Sequence, residues 1–389
     1  MAPEQRLISI LRAMLRDTPV TEPVTFEEFK TVYKLAMRHD LAHIVYAVLK
    51  KAGRLPTPAT DDERAYLDGV AESVTVAQYR YVKLEAEYAH IAQVLEREAI
   101  PYMPLKGAVM RVLYAEPWMR TSCDIDVLVH EEDLDRAVEV LIAEGFETNG
   151  VRNYHDISLF CDGVHLELHH NVLERMPSAD AVLSRIWEYT VHKGCQYMQK
   201  PAFFLFHHLA HMAHHFLCGG CGIRTVMDLW LLLKDSTCSA EELHALCEEA
   251  GLSTFAGVMF ALAEVWFDDG AHDEVTRRAE AYIFSGGAYG SKAQGSASAA
   301  ARYGKSRMAL RVALMPYEDL KRVYPQLDGK PLLTPYYQLC RIVTRLKQGR
   351  MQKAVSRIQA VSRQDEQTIA ETKAFLTSVG LYQDDGTEE

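Results

Sequence analysis

The chain has 389 residues, of which 48% are hydrophobic and 24% charged, proportions that suit a soluble globular protein of two or three domains and exclude wholesale disorder. Its formal net charge of −11 argues against a nucleic-acid partner bound by broad phosphate neutralisation, leaving open only a local basic groove. Eight cysteines (123, 161, 195, 218, 221, 238, 247 and 340) lack the dense spacing of a secreted disulfide framework, so reduced thiols are expected.

No basic segment followed by an apolar run opens the chain, and no apolar stretch approaches the ~20 residues of a membrane span. A cytoplasmic protein with no membrane partner is the expectation.

Residues 1–98 read as helices. Ile8, Leu11 and Leu15, then Phe26, Phe29, Tyr33, Met37 and Leu41, recur at three- and four-residue steps, and Thr25 before Glu27-Glu28 makes a helix cap. Gly53 to Pro58 interrupts the pattern before a long amphipathic helix from about Asp62 to Glu98.

The texture changes at Ala99. Ile100 to Leu105 is extended, Gly107 to Tyr114 helical, Ser122 to Val129 a second strand and His130 to Glu144 a helix with Leu134, Ala137, Val138 and Leu141 on one side. Gly145-Phe146 begins a return to strand, and Asn153–Cys161 and Val164–His169 flank Asp162-Gly163, a dipeptide that favours a tight hairpin turn. This middle unit spans 99–178.

From Ser178 the reading is helical again, over Pro201–Leu217, Arg224–Lys234, Ala240–Ala250 and Ser253–Phe267. The Gly/Ser/Ala-rich stretch from Ser285 to Ala301 reads as a flexible loop or linker, helices resume near Lys305, and the region ends at 382 before an acidic tail, 383–389, expected to be disordered.

The chemistry concentrates in the middle unit. Side chains alternate faces along a strand, so Asp124 and Asp126 point one way while Ile125, Val127 and Val129 enter a core. Two carboxylates that close repel unless a hard cation bridges them, and Mg²⁺ is favoured where phosphates complete its shell. Glu167, on the polar face of the second hairpin strand, supplies a third carboxylate. Upstream, Gly107 opening a helix would admit a phosphate to backbone amides, with Lys106 and Arg120 as partners for the outer phosphates.

The stretches PLKGAVMRVLY, RTSCDIDVLV and HLELHHNV resemble the nucleotidyltransferase superfamily typified by DNA polymerase β, and more closely the bacterial family usually labelled uncharacterised nucleotidyltransferase. HHLAHMAHHF, GIRTVMDLWLLL and SGGAYG are similar to that family too, so the likeness runs from about residue 25 to 350.

It implies an α+β fold, a small mixed-sheet core embedded between helical regions, with Asp124, Asp126 and Glu167 as metal ligands and catalytic residues. The implied reaction transfers NMP from an NTP to an unidentified small-molecule, peptide or protein acceptor, with Mg²⁺ or Mn²⁺ as cofactor and pyrophosphate as product. The superfamily usually has Gly-Ser or Gly-Gly where this chain has Gly107-Ala108; Ala108 offers no hydroxyl, and Lys106 would take over that contact. Two alternatives stand beside this: a noncatalytic nucleotide-binding or protein-interaction module on the same fold, and a γ-phosphotransferase.

Other residues have blander readings. His207, His208, His211, His214 and His215 share one helix, with Cys218 and Cys221 beyond; the i, i+4 pair His211/His215 can clamp zinc, but Cys-Gly-Gly-Cys lacks the second half of a zinc ribbon, and His211 is assigned to the wall of the nucleotide or acceptor pocket. Arg224 and Asp228 at i, i+4 read as a helix ion pair, and Trp118, Trp187, Trp230 and Trp266 as core or interface residues.

Overall fold

The computed structural model describes residues 1–235, 237–308, 314–347 and 351–382. The acidic tail therefore lies outside the described residues. Helices α1 (Pro3–Leu15), α2 (Phe26–Arg38) and α3 (Ala42–Lys51) lead into the 37-residue α4 (Asp61–Arg97). The Thr25 hydroxyl accepts from the Glu28 amide, and Thr60 caps α4 in the same way at Glu63.

The α/β unit follows as β1 (Tyr102–Pro104), α5 (Gly107–Met110), β2 (Ile125–Val129), α6 (Leu134–Ala143), β3 (Glu147–Arg152), β4 (Asp156–Cys161) and β5 (Val164–His169). After α7 (Pro177–Leu183) comes a hairpin, β6 (Thr190–Lys193) and β7 (Gln196–Gln199), that the helical reading beyond Ser178 did not anticipate. Its strands are short and half polar, and the signal for it is the two-residue turn at Gly194-Cys195, with Gly194 at φ +62°.

The seven strands form one mixed sheet in the order β3-β4-β5-β2-β1-β7-β6. At its centre β2 runs parallel to β5, with Asp126 opposite Glu167, while β1 is antiparallel to β2 and parallel to β7. Alternation along β2 divides the two faces. Ile125, Val127 and Val129 pack with Leu166 and Leu168 against Leu84, Ile91, Val94 and Leu95 of α4, whereas Leu128, on the Asp126 side, joins the helical core. Each fully buried aliphatic side chain contributes about 1.5–3 kcal/mol, so a one-residue slip, which would turn both carboxylates into the α4 interface, is strongly disfavoured.

The remaining helices are α8 (Pro201–Cys218), α9 (Ile223–Leu233), α10 (Ala240–Glu249), α11 (Ser253–Phe267), α12 (Glu274–Ser285), α13 (Lys292–Tyr303), α14 (Tyr317–Val323), α15 (Thr334–Lys347), α16 (Met351–Ser362) and α17 (Glu366–Ser378). The N-terminal helices share one hydrophobic core with α8–α11, and Arg12 on α1 donates to the Trp266 and Val265 carbonyls at 2.7 Å each. Trp230 and Trp266 are buried, and Trp118 and Trp187 pack against the same core. No disulfide joins any of the eight cysteines. Among the described residues no helix is long and apolar enough to cross a membrane.

The stretch from Ser285 to Ala301 is not a flexible linker. Most of it is α13, docked on the C-terminal end of α8: Ser298 donates to the Leu217 carbonyl at 2.6 Å and the Ser291 amide to Gly219 at 2.8 Å. Its small residues permit this approach. A Cβ on Gly295 would stand 2.5 Å from the Cys218 carbonyl oxygen, and one on Gly290, at φ +70°, 1.9 Å from that of Gly219.

Candidate active site

A cavity of about 360 Å³ opens between the central strands and helices α8 and α9. Lys106, Gly107, Arg120, Asp124, Asp126, Glu167 and His211 all line it, so every site residue read from the sequence reaches the same space. Asp126 is 8% exposed on β2, Glu167 stands beside it on β5, and Asp124 sits one residue before β2 begins.

Glu167 is common to two sets of ligand-capable atoms. Those of Asp124, His165 and Glu167 lie within 4.8 Å of one another, and so do those of Asp126, Glu167 and His169. Three carboxylates present the oxygen donors that a hard divalent cation requires, and His165 offers a ring nitrogen beside Asp124 and Glu167. No comparable group forms on the α8 histidines among the described residues.

The electrostatics separate the two aspartates. Burial, with Asp126 and Glu167 close by, raises Asp124 to about 6. Burial would raise Asp126 as well, but Lys106 and a hydrogen bond from His169 outweigh it and hold that carboxyl well below the usual range. His169 Nε2 donates to Asp126 Oδ1 at 3.0 Å, and its ring stacks on His155 at 5.2 Å between centroids. Burial lowers His169, yet its bonds to Asp126 and Glu167 dominate and lift it to about 9. His169 is a site residue to which the sequence reading gave no role.

Lys106 Nζ lies 3.9 Å from Asp126 Oδ1. Its backbone has φ 38°, a conformation that costs a side-chain-bearing residue of order 1–3 kcal/mol and is held here because the Lys106 carbonyl accepts from the Val109 and Met110 amides. Gly107 packs closely on Ser122: a Cβ there would stand 3.2 Å from Ser122 Cβ, tighter than ordinary contact. The expected helix from Gly107 to Tyr114 is only the four residues of α5 and a 3-10 turn, Arg111–Leu113, too short for a helix dipole to act on a phosphate.

Arg120 is committed inside the protein. Its Nε lies 3.0 Å from both Asp228 oxygens and its Nη2 2.9 Å from Oδ2, while Tyr114 donates to Asp228 Oδ1 at 2.7 Å. The expected Arg224–Asp228 pair therefore does not form. Arg224 Nη1 instead donates to Asp40 Oδ2 at 2.9 Å and to the Thr121 carbonyl at 3.1 Å. The i, i+4 spacing brings the two residues onto one helix face, but bidentate geometry with Arg120 is the stronger option for a buried carboxylate.

The α8 histidines form the opposite wall. His211 Nδ1 donates to Glu174 Oε1 at 2.6 Å, which leaves its Nε2 to accept from His215 Nε2 at 2.9 Å. His214 Nδ1 donates to the Glu174 carbonyl at 2.7 Å and His208 Nε2 to that of Thr225 at 2.9 Å. Burial lowers His207 to about 3, His215 to about 4 and His211 well below its ordinary value, which favours their neutral rings, whereas at His214 burial is outweighed by Cys218 and Glu174, which lift it to about 9. Glu174, which organises this wall, was missed because it lies on a loop after β5 with no periodicity to mark it.

A family model described as uncharacterised nucleotidyltransferase matches residues 27–268, more than half of the chain. The chain belongs to this nucleotidyltransferase family. The matched span contains β1 to β7, the three carboxylates, Lys106 and the α8 histidines, and it ends before α12, so Tyr289 at the cavity lies beyond it. No curated protein and no solved structure matches the chain significantly.

Proposed function

We propose that this chain is a divalent-metal-dependent nucleotidyltransferase that moves a nucleoside monophosphate from an NTP to an acceptor hydroxyl. The carrying observation is the register of β2 on β5, which sets Asp126 against Glu167 on the wall of a cavity that Asp124 also lines. Asp124, Asp126 and Glu167 would hold Mg²⁺ or Mn²⁺, which when bound supplies Lewis-acid stabilisation of phosphate charge.

The acceptor oxygen attacks the α-phosphorus, and the bond from that phosphorus to the α,β-bridging oxygen breaks. Pyrophosphate departs with the electron pair, and the hydroxyl proton passes to Glu167, whose side chain is 27% exposed and lines the cavity. Lys106 neutralises the phosphates, its ammonium group already facing the carboxylate cluster. Arg120 serves as a strut that fixes the cavity floor through Asp228, and His211 shapes the wall on which the nucleotide or acceptor rests. Gly107 permits the close approach of the Lys106 turn to Ser122.

The test is incubation of the protein with each α-labelled NTP, Mg²⁺ or Mn²⁺ and cell extract, followed by tracing of the label. Label on a discrete acceptor together with free pyrophosphate, both lost in Asp124→Ala, supports the reading. A nucleoside diphosphate product would make the protein a phosphotransferase, and no turnover with nucleotide binding retained in Asp126→Ala would make it a binding module.

A further inference from the structure

Helix α15 is inside out. Its inward residues are polar: Gln338 bonds the Met315 amide and carbonyl, and Arg341, 5% exposed, donates to Gln338 Oε1 at 3.2 Å. Its outward residues, and those of the turn Pro331–Leu333 before it, are large and apolar. Leu332 is 93% exposed and Leu339 60%, and Leu333, Tyr336, Val343 and Leu346 are exposed with them. A helix normally buries such a stripe, and this one is left exposed.

The surrounding charge says what kind. Apart from the buried Arg341, the chain from Gly329 to Gln364 has seven Lys and Arg residues and no Asp or Glu, within a protein of net charge −11. A second copy of the same face would bring like charge onto like charge. Nucleic acid would satisfy the cations but leave the leucines in water. The cations are scattered along 330–363 with only Arg350 and Arg357 seven apart, short of the repeat that a stereospecific acidic helix would ask of its mate, and diffuse attraction combined with shallow apolar burial matches a fluid anionic surface.

We propose that α15 and the turn before it dock peripherally on an anionic lipid surface, with Leu332, Tyr336, Leu339, Val343 and Leu346 entering the headgroup layer and the basic segment held by lipid charge. The expectation of no membrane partner rested on the length needed to span a bilayer, which does not bear on a helix lying along its surface.

The full-length chain is to be co-sedimented with vesicles of phosphatidylcholine alone and with about one-third phosphatidylserine. Binding is expected only to the anionic vesicles, with a loss of roughly tenfold or more between ~0.1 and ~0.5 M NaCl. Replacing Leu332→Asp with Leu339→Asp is expected to lower the partition about tenfold, and Lys330→Glu with Arg363→Glu to do likewise. All four side chains are exposed, and an unchanged melting temperature shows that these variants fold. The proposal is overturned if the wild-type chain ignores anionic vesicles, binds both kinds equally, or binds undiminished when the leucines are replaced; dimerisation or RNA binding without vesicle binding overturns it in favour of those partners.

Discussion

Arg120 and Asp228 meet across the cavity floor in a bidentate pair, with both Asp228 oxygens 3.0 Å from Nε and Tyr114 as a third partner. Removing one member of a buried pair leaves the other charged and desolvated. Asp228→Ala is therefore expected to cost about 3–5 kcal/mol, read from the midpoint of urea denaturation. An unchanged midpoint with a raised KM for nucleotide would instead make Arg120 a free phosphate contact.

Asp124→Asn should separate stability from activity. In the metal-free protein, burial and two neighbouring carboxylates oppose ionisation of Asp124, so the neutral amide should raise stability at pH 8 by about 1–3 kcal/mol. The same change should abolish nucleotide transfer and shrink the rise in melting temperature on adding Mg²⁺ or Mn²⁺. A variant less stable than wild type in EDTA would contradict the repulsion.

The pH dependence follows in sign. A carboxyl raised from 3.8 to about 6 contributes stability that is complete below its ordinary value and is lost as pH rises through 6. Cation binding displaces that proton. The metal-induced gain in melting temperature should thus be small at pH 5 and grow through pH 7. A gain independent of pH over this window would place the cation away from Asp124.

Gly290→Ala tests the clasp that seats α13. The added Cβ meets the Gly219 carbonyl at 1.9 Å and the residue sits at φ +70°, so the segment must move. Limited trypsin digestion should spare the wild-type chain at Lys292 and cut the variant there, with a stability loss of about 2 kcal/mol or more. Equal cleavage of both would restore the reading of this stretch as a linker.

Much of the α/β unit was legible because its signals are local. Alternation in Asp124–Val129 and Val164–His169, with Asp162-Gly163 between β4 and β5, suffices to put Asp126 and Glu167 on polar faces. Less legible were elements whose logic is contact at a distance. Glycine, serine and alanine in α13 look like a linker until the end of α8 is set against them, and Thr190 to Gln199 carries too little apolar alternation to announce a hairpin.

The order of residues alone determined that Asp126 and Glu167 would sit on the polar faces of their strands, because side-chain alternation is a property of the strand itself. Only the tertiary structure decided that β2 lies directly beside β5, that Asp228 takes Arg120 in place of Arg224, and that His169 reaches back to Asp126. Those choices join residues 41, 108 and 43 positions apart, where pairing is selected by packing and by the cost of burying a charge unpaired, neither of which is written in any short stretch of chain.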